Sequence, residues 1–317
     1  MISPVAVLEA VLPVYFLLMA GAVLRKSGIL RREADDGIMR LFYSVMLPAF
    51  MLDKILGSAI LKSGSIVLWA ILLGFGFIMV GIIIGTVVGR LMGLERGNGM
   101  RTFALSSGCQ NFGFAAAPVV ESLWGDAALA LLFIHNIGVE IAMWSVGVVM
   151  MSGENRIKWK KLLNGPIIAV ALGLILVMLR LDDHFTGPAR RAMSMIGAGA
   201  FPIAILITGC TMADLVGVER PTWKITFGSS LVRLILTPFV ILSAAKFLPI
   251  PDELRQVLIV QAAMPAGMTA ILLARIYNGR PAIAVQVVIT TTVLSFITLP
   301  WIITWGCQWI GLKPLLP

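Results

Sequence analysis

The residues Leu105-Ser-Ser-Gly-Cys-Gln-Asn-Phe-Gly-Phe-Ala-Ala-Ala-Pro118 constrain the fold of this chain more than any other stretch. They lie in an apolar segment of about membrane-spanning length. Yet they bring two glycines, a proline and the adjacent amides Gln110 and Asn111, for which a straight lipid-facing helix has no use. A second stretch, Gln261-Ala-Ala-Met-Pro-Ala-Gly-Met-Thr269, repeats the pattern. Gly113 and Gly267 stand 154 positions apart, and the same offset separates Gly125 from Gly279, Ala128 from Ala282 and Pro48 from Pro202. Twice that offset is nearly the whole chain. Gly/Pro-interrupted spans at matching positions of two halves are the sequence mark of the binding site in an inverted-repeat secondary transporter.

Composition sets the solvent. With 59% hydrophobic and 13% charged residues and a mean hydropathy of +0.96, the chain falls far below the roughly 25% charge of soluble domains. The bilayer takes the place of water. No polar stretch is long enough for a domain outside the membrane, so residues 1–317 read as one membrane unit. The run Pro4 to Leu24 has no basic residue before it and exceeds the roughly 7–15 residues of a signal-peptide core, so a retained first helix is expected. Cys109, Cys210 and Cys307 form neither a metal-ligand spacing nor a disulfide framework, and no cofactor is expected. The net charge of +9 suits lipid-facing basic loops rather than nucleic acid.

Taking about 20 residues per span, the pattern predicts an all-α integral membrane protein with ten spans. These run over 4–24, 36–56, 65–89, 100–123, 127–151, 165–181, 191–214, 224–247, 252–275 and 281–311. Repeat one then covers 4–151 and repeat two 165–311. Five spans per half make the halves inverted, with the fourth and ninth spans broken at mid-membrane. An even total puts both termini on one side. The opposite side gathers Arg25, Lys26, Arg31, Arg32, Arg40, Arg90, Arg96, Arg101, Arg156, Lys158, Lys160, Lys161, Arg220, Lys224, Arg275 and Arg280. The terminal side has Lys54, Lys62, Arg180, Arg190, Arg191, Lys246, Arg255 and Lys313. The bias predicts both termini outside, in a plasma membrane such as the bacterial inner membrane. Pro48 and Pro202 are expected to distort the second and seventh spans. The ridge Gly81, Gly85, Gly89 is expected to admit a neighbouring helix.

A helix broken at mid-depth needs protein or a water-filled cavity to take up its freed backbone groups. A half-helix that begins there offers unpaired N–H groups and the positive end of its dipole, which suits an anion. Pro265 is placed to open one half-helix and Asn111 to cap the other. The breaks contain no Asp or Glu, so a carboxylate fits them better than a cation.

These motifs resemble the auxin efflux carrier family, which includes bacterial malate and malonate permeases and plant auxin carriers. The likeness is carried by Gln261-Ala-Ala-Met-Pro-Ala-Gly, by Ala274-Arg-Ile-Tyr-Asn278 and by Ser106-Ser-Gly-Cys-Gln-Asn-Phe-Gly-Phe with Pro118. The resemblance implies that the fourth and ninth spans cross at their breaks and that spans 1, 2, 6 and 7 form a scaffold through which the protein dimerises. Spans 3–5 and 8–10 then form the transport unit, and the substrates are organic carboxylates. Carried over by position, the substrate contacts fall on Gln110, Asn111, Phe112 and Gly113 and on Met264, Pro265, Ala266 and Gly267. The third span has no ionisable residue, so a coupling role placed there in some relatives does not transfer, and the long central loop of the longer plant members is missing.

Outside the breaks, Glu140 lies mid-way along the fifth span and shares a helix face with Asn136. It is either a coupling carboxylate for H⁺ or Na⁺ or a group paired within its own helix. The alternative function, a cation/proton antiporter, would use Glu140 as the exchanging carboxylate. Arg233 is expected to snorkel to the interface and His135 to be a hydrogen-bonded packing residue. Gln261, Thr269, Gln286 and Thr290-Thr-Thr292 are candidates to line a cavity. The short Asp182-Asp-His184 cluster is too isolated for an enzyme site.

Overall fold

The computed structural model describes residues 4–95, 97–113, 115–153, 164–215 and 221–312. Of the basic residues counted above, Arg96, Arg156, Lys158, Lys160, Lys161, Arg220 and Lys313 lie outside them, as does Phe114 of the first motif. The described residues are helices and connecting turns. Thirteen helices follow in order: α1 Pro4–Lys26, α2 Asp35–Leu41, α3 Leu47–Ile55, α4 Gly64–Leu91, α5 Met100–Gly108, α6 Ala116–Trp124, α7 Asp126–Ser152, α8 Gly165–Met178, α9 Pro188–Leu215, α10 Trp223–Phe247, α11 Asp252–Ala263, α12 Thr269–Ile276 and α13 Pro281–Ile310. Six of them, α1, α4, α7, α9, α10 and α13, are long and apolar enough to cross a membrane, and α8 is a shorter apolar helix. The three other expected spans are interrupted: α2 and α3 are joined by a wide π turn, and α5–α6 and α11–α12 by extended chain.

The interruptions follow from local chemistry. Proline at position i cannot donate to, and sterically crowds, the carbonyl of residue i−4. Pro48 therefore disturbs the backbone at Ser44, inside the π turn Phe42–Met46, and Pro238 disturbs Leu234, inside the π turn Val232–Leu236. Pro202 falls just after the helix in α9 breaks register at Gly199. The expected distortions are thus present one turn ahead of each proline. Elsewhere, Asn164 caps α8 by accepting from the Ile167 N–H at 3.0 Å. Gly125, at φ 75°, turns the chain from α6 into α7 within one residue.

Glycines set how closely the helices approach. A Cβ on Gly74 would lie 2.0 Å from the His135 carbonyl, and one on Gly138 2.0 Å from that of Ile71, so α4 and α7 touch backbone to backbone. Gly21 against Leu206 and Gly209 against Leu18 do the same for α1 and α9. Gly81 meets Gly108, Gly85 meets Ala104, and Gly89 meets Met100 and Phe103, so the ridge on α4 is the seat of α5, as expected. On the other side α3 lies between α8 and α9. Gly165 abuts Tyr43 and Pro48 while Gly173 abuts Leu52 and Ile55, so α3 and α8 run parallel. Two apolar cores result. One holds the first half of α1, α3, α6 and α11; the other holds the second half of α4, α5, the second half of α7 and α12. They meet where the extended chains after α5 and α11 cross.

Candidate functional site

The two extended chains cross as a short antiparallel pair. Gln110 faces Ala266 in an isolated bridge; the Asn111 N–H donates to the Pro265 carbonyl at 2.7 Å and the Gly267 N–H to the Cys109 carbonyl at 2.9 Å. Two of the backbone N–H groups released at the helix ends are thus satisfied by the other chain. Side chains satisfy others. The Ala266 N–H donates to Thr291 Oγ1 on α13 at 3.0 Å. The Phe112 carbonyl accepts from Asn136 Nδ2 at 2.9 Å and from Gln261 Nε2 at 3.3 Å, and Gln261 Nε2 also reaches Asn136 Oδ1 at 3.2 Å.

This pairing moves two expected roles. Pro265 does not open a half-helix: α12 begins at Thr269, and Pro265 follows Met264, the extended C-cap of α11. Proline commonly stands there, because it cannot continue the helix and it forces the residue before it into extended conformation. Nor does Asn111 cap α6, which begins at Ala116 after Ala115 with no side-chain cap. Its backbone is engaged in the crossing instead, leaving the side chain half-exposed at the edge of a cavity.

That cavity, with the open solvent at its mouth, spans about 850 Å³ and is bordered by Gln110, Asn111, Phe112, Gly113 and Gly267, by Asn136 and Glu140 on α7, by Tyr43 and by Asn164 at the start of α8. A second, more apolar cavity of about 540 Å³ lies against the same crossing, bordered by Asn111, Pro265 and Ala266 and by Tyr15, Thr208, Thr292 and Ser295. Met264 is buried and borders neither. Gln110 is fully buried, and neither of its amide atoms has a hydrogen-bond partner among the described residues. Glu140 Oε2 accepts from Trp144 Nε1 at 2.6 Å, one turn along its own helix.

Arg233 corrects the sequence reading. It does not snorkel: it is fully buried, and its Nη2 donates to the Gln261 and Ala262 carbonyls at 3.1 and 3.2 Å, the last turn of α11. His135 is buried as expected, with only a long contact of 3.5 Å to Asn136 Oδ1. Of the Thr290–Thr292 run, Thr291 reaches the crossing and Thr292 borders the smaller cavity, whereas Asn164 and Tyr43 had no distinctive signal in the sequence and reach the larger cavity only through long-range packing. Gln286 lies away from the cavity, donating to the Thr222 carbonyl at 2.7 Å. Thr269 does border the cavity. Asp182 and His184 share a short 3₁₀ turn, and Asp182 accepts from the Gly57 N–H at 3.2 Å. No group of His, Cys, Asp and Glu among the described residues is arranged to hold a metal ion.

Comparison with known proteins agrees with this architecture. The family described as "Membrane transport protein" matches residues 6–158 and 154–303. An "Uncharacterized transporter" of Methanothermobacter thermautotrophicus is 24% identical over 301 residues, covering 92% of this chain and 96% of that protein. "Auxin efflux carrier component 8" of Arabidopsis thaliana is 26% identical over 128 residues, 39% of this chain and 35% of its own length. "Auxin efflux carrier component 3a" of Oryza sativa subsp. japonica is 28% identical over 152 residues, 47% of this chain and 25% of its own length.

Proposed function

We propose, from the premise that this chain belongs to the membrane transport protein family, that it is a multi-pass secondary transporter of small organic carboxylate anions. The observation that carries the reading is the crossing. Two chains leave their helices, pair with each other and re-enter helices beside a cavity bordered by the Asn111 amide, with Glu140 its one charged side chain among the described residues. The starts of α6 and α12 both lie close to the crossing, Gly113 and Thr269 border the larger cavity, and helix N-termini favour a bound anion. In this reading the seven apolar helices and the interrupted pairs α2–α3, α5–α6 and α11–α12 make ten crossings in two inverted halves, and two copies pair through a scaffold of α1, α2–α3, α8 and α9.

Alternating access draws support from an ion pair. Lys54 at the end of α3 lies 2.7 Å from Glu121 on α6 and 2.8 Å from Asp126 on α7. Among the described residues it alone bridges the scaffold helices to the others. The remaining pairs stay within one group. The larger cavity lies toward the other end of the α3–α8 pair, bordered by Tyr43, Asn164 and Ile167. One end is clasped while the opposite end holds the cavity, the asymmetry that an alternating-access cycle requires.

Glu140 at the cavity keeps a second reading in play, a cation/proton antiporter with Glu140 as the exchanging carboxylate. Uptake of a labelled organic-acid panel into proteoliposomes, with and without H⁺ and Na⁺ gradients, separates the two. Saturable carboxylate uptake that falls in Asn111→Ala supports the first; Na⁺-driven proton movement without carboxylate uptake supports the second. Under the first reading Glu140→Gln abolishes gradient-driven accumulation but spares substrate exchange.

A further inference from the structure

Arg233 is the one strongly basic side chain buried at the crossing, and its placement is built from sequence upward. Pro238 forces the π turn Val232–Leu236 into α10. Arg233 sits within that wide turn and meets the end of α11, where it donates to the last-turn carbonyls of Gln261 and Ala262. No carboxylate lies within ion-pair distance among the described residues, and its Nε and Nη1 have no hydrogen-bond partner there. A buried cation without a counter-charge is costly. The negative end of the α11 dipole offsets only part of that cost. The position 154 residues earlier, on α4, is Met79, so the corresponding end of α5 receives no such charge.

We infer that Arg233 is a positioning and specificity residue. It cancels the negative C-terminal end of α11, so that the field at the cavity is more positive than that helix end and Glu140 alone would leave it, and it thereby selects carboxylates over neutral ligands of the same shape. The route from Arg233 to the cavity is short: the Gln261 whose carbonyl it holds sends its side-chain amide to the Phe112 carbonyl and to Asn136, both at the cavity edge. This inference rests on the carboxylate reading above and adds to it the source of the charge preference.

The test compares binding of indole-3-acetate with indole-3-acetamide, and of malonate with malonamide, to the full-length protein in nanodiscs. Wild type is expected to prefer the acid, and Arg233→Gln to lower the acid-to-amide ratio about tenfold, the order expected for one unit charge acting through protein. Arg233→Lys keeps the charge without the planar fork and should hold the ratio within about threefold of wild type while lowering thermal stability. A merely structural Arg233 would weaken acid and amide equally and leave the ratio unchanged in Arg233→Gln, which would overturn the inference. Should Arg233→Gln not fold, loss of the preference in a folded Arg233→Lys overturns it equally. If wild type binds neither acid, the carboxylate reading itself fails, an outcome distinct from an unchanged ratio in the variants.

Discussion

The two chains that cross at the centre occupy matching positions of the sequence, yet they are chemically unlike. The first, from Cys109 to Gly113, carries the two amides and is partly exposed, and Asn111, Phe112 and Gly113 border the larger cavity. The second, from Met264 to Met268, is apolar and buried through Gly267, and it is fastened from outside by Thr291 and, at the helix before it, by Arg233. The same backbone event has been divided into two jobs. On the proposed function, the first chain presents ligand chemistry, and the second is the platform that holds it in place. Two chains that follow matching backbone paths can therefore differ in side-chain chemistry.

The sharpest way to break this comparison is to make one change at both members of the glycine pair. A Cβ on Gly267 would lie 2.7 Å from the Gln110 carbonyl, whereas one on Gly113 would meet nothing within 4 Å. Gly267→Leu should therefore collapse the crossing, with most of the protein lost from the monodisperse peak in size-exclusion chromatography. Gly267→Ala should destabilise by about 1–3 kcal/mol, while Gly113→Ala should unfold within about 0.5 kcal/mol of wild type. Equal losses at the two glycines would mean that the chains are not divided as argued.

Affinity supplies the next contrast. On the proposed function, Asn111→Ala removes a side-chain hydrogen bond to a charged ligand, about 1.5–3 kcal/mol, and should raise Kd for the carboxylate roughly ten- to a hundred-fold with expression unchanged. Thr291→Val should behave in the opposite way. It leaves the Ala266 N–H buried without an acceptor, so stability falls by about 1–3 kcal/mol while the Kd of the surviving folded protein stays within about threefold. Swapped outcomes, with Thr291→Val acting on affinity and Asn111→Ala on stability, would reverse the assignment of presenter and platform.

The smallest effect concerns what lies beyond each crossing. The helix after the first is tied to α3 through Lys54 and Glu121, whereas Arg275 of α12 has no ion pair among the described residues. Lys54 is only 17% exposed, but its partners are more open, so the bridge is worth at most about 1 kcal/mol. Lys54→Gln should shift the balance of conformers by about two- to fivefold. Labelling of a single cysteine introduced near residue 121 should speed up accordingly, and an unchanged rate would show that the clasp does not hold the closed end.

How much of this was open to reading from the chain alone follows a physical line. Sequence determined where helices run and where they fail, because apolar run length, proline and glycine act on the residues that carry them. The limits of α10 and α13, the distortions ahead of Pro48 and Pro202, the packing role of Gly81, Gly85 and Gly89 and the two interrupted stretches were all legible for that reason. Tertiary structure alone decided which freed polar group meets which. Pro265 was expected to start a helix and Asn111 to cap one, since local rules supply no other partner; in the folded protein the two chains satisfy each other and both helices start later. Arg233 was expected at the surface because an isolated arginine gains most there, and only the end of α11, 28 residues further along the chain, gives it a reason to be buried. Each segment's own preference for lipid or water is written in its residues, whereas the partner of a buried polar atom is a property of long-range packing and becomes fixed only when the helices meet.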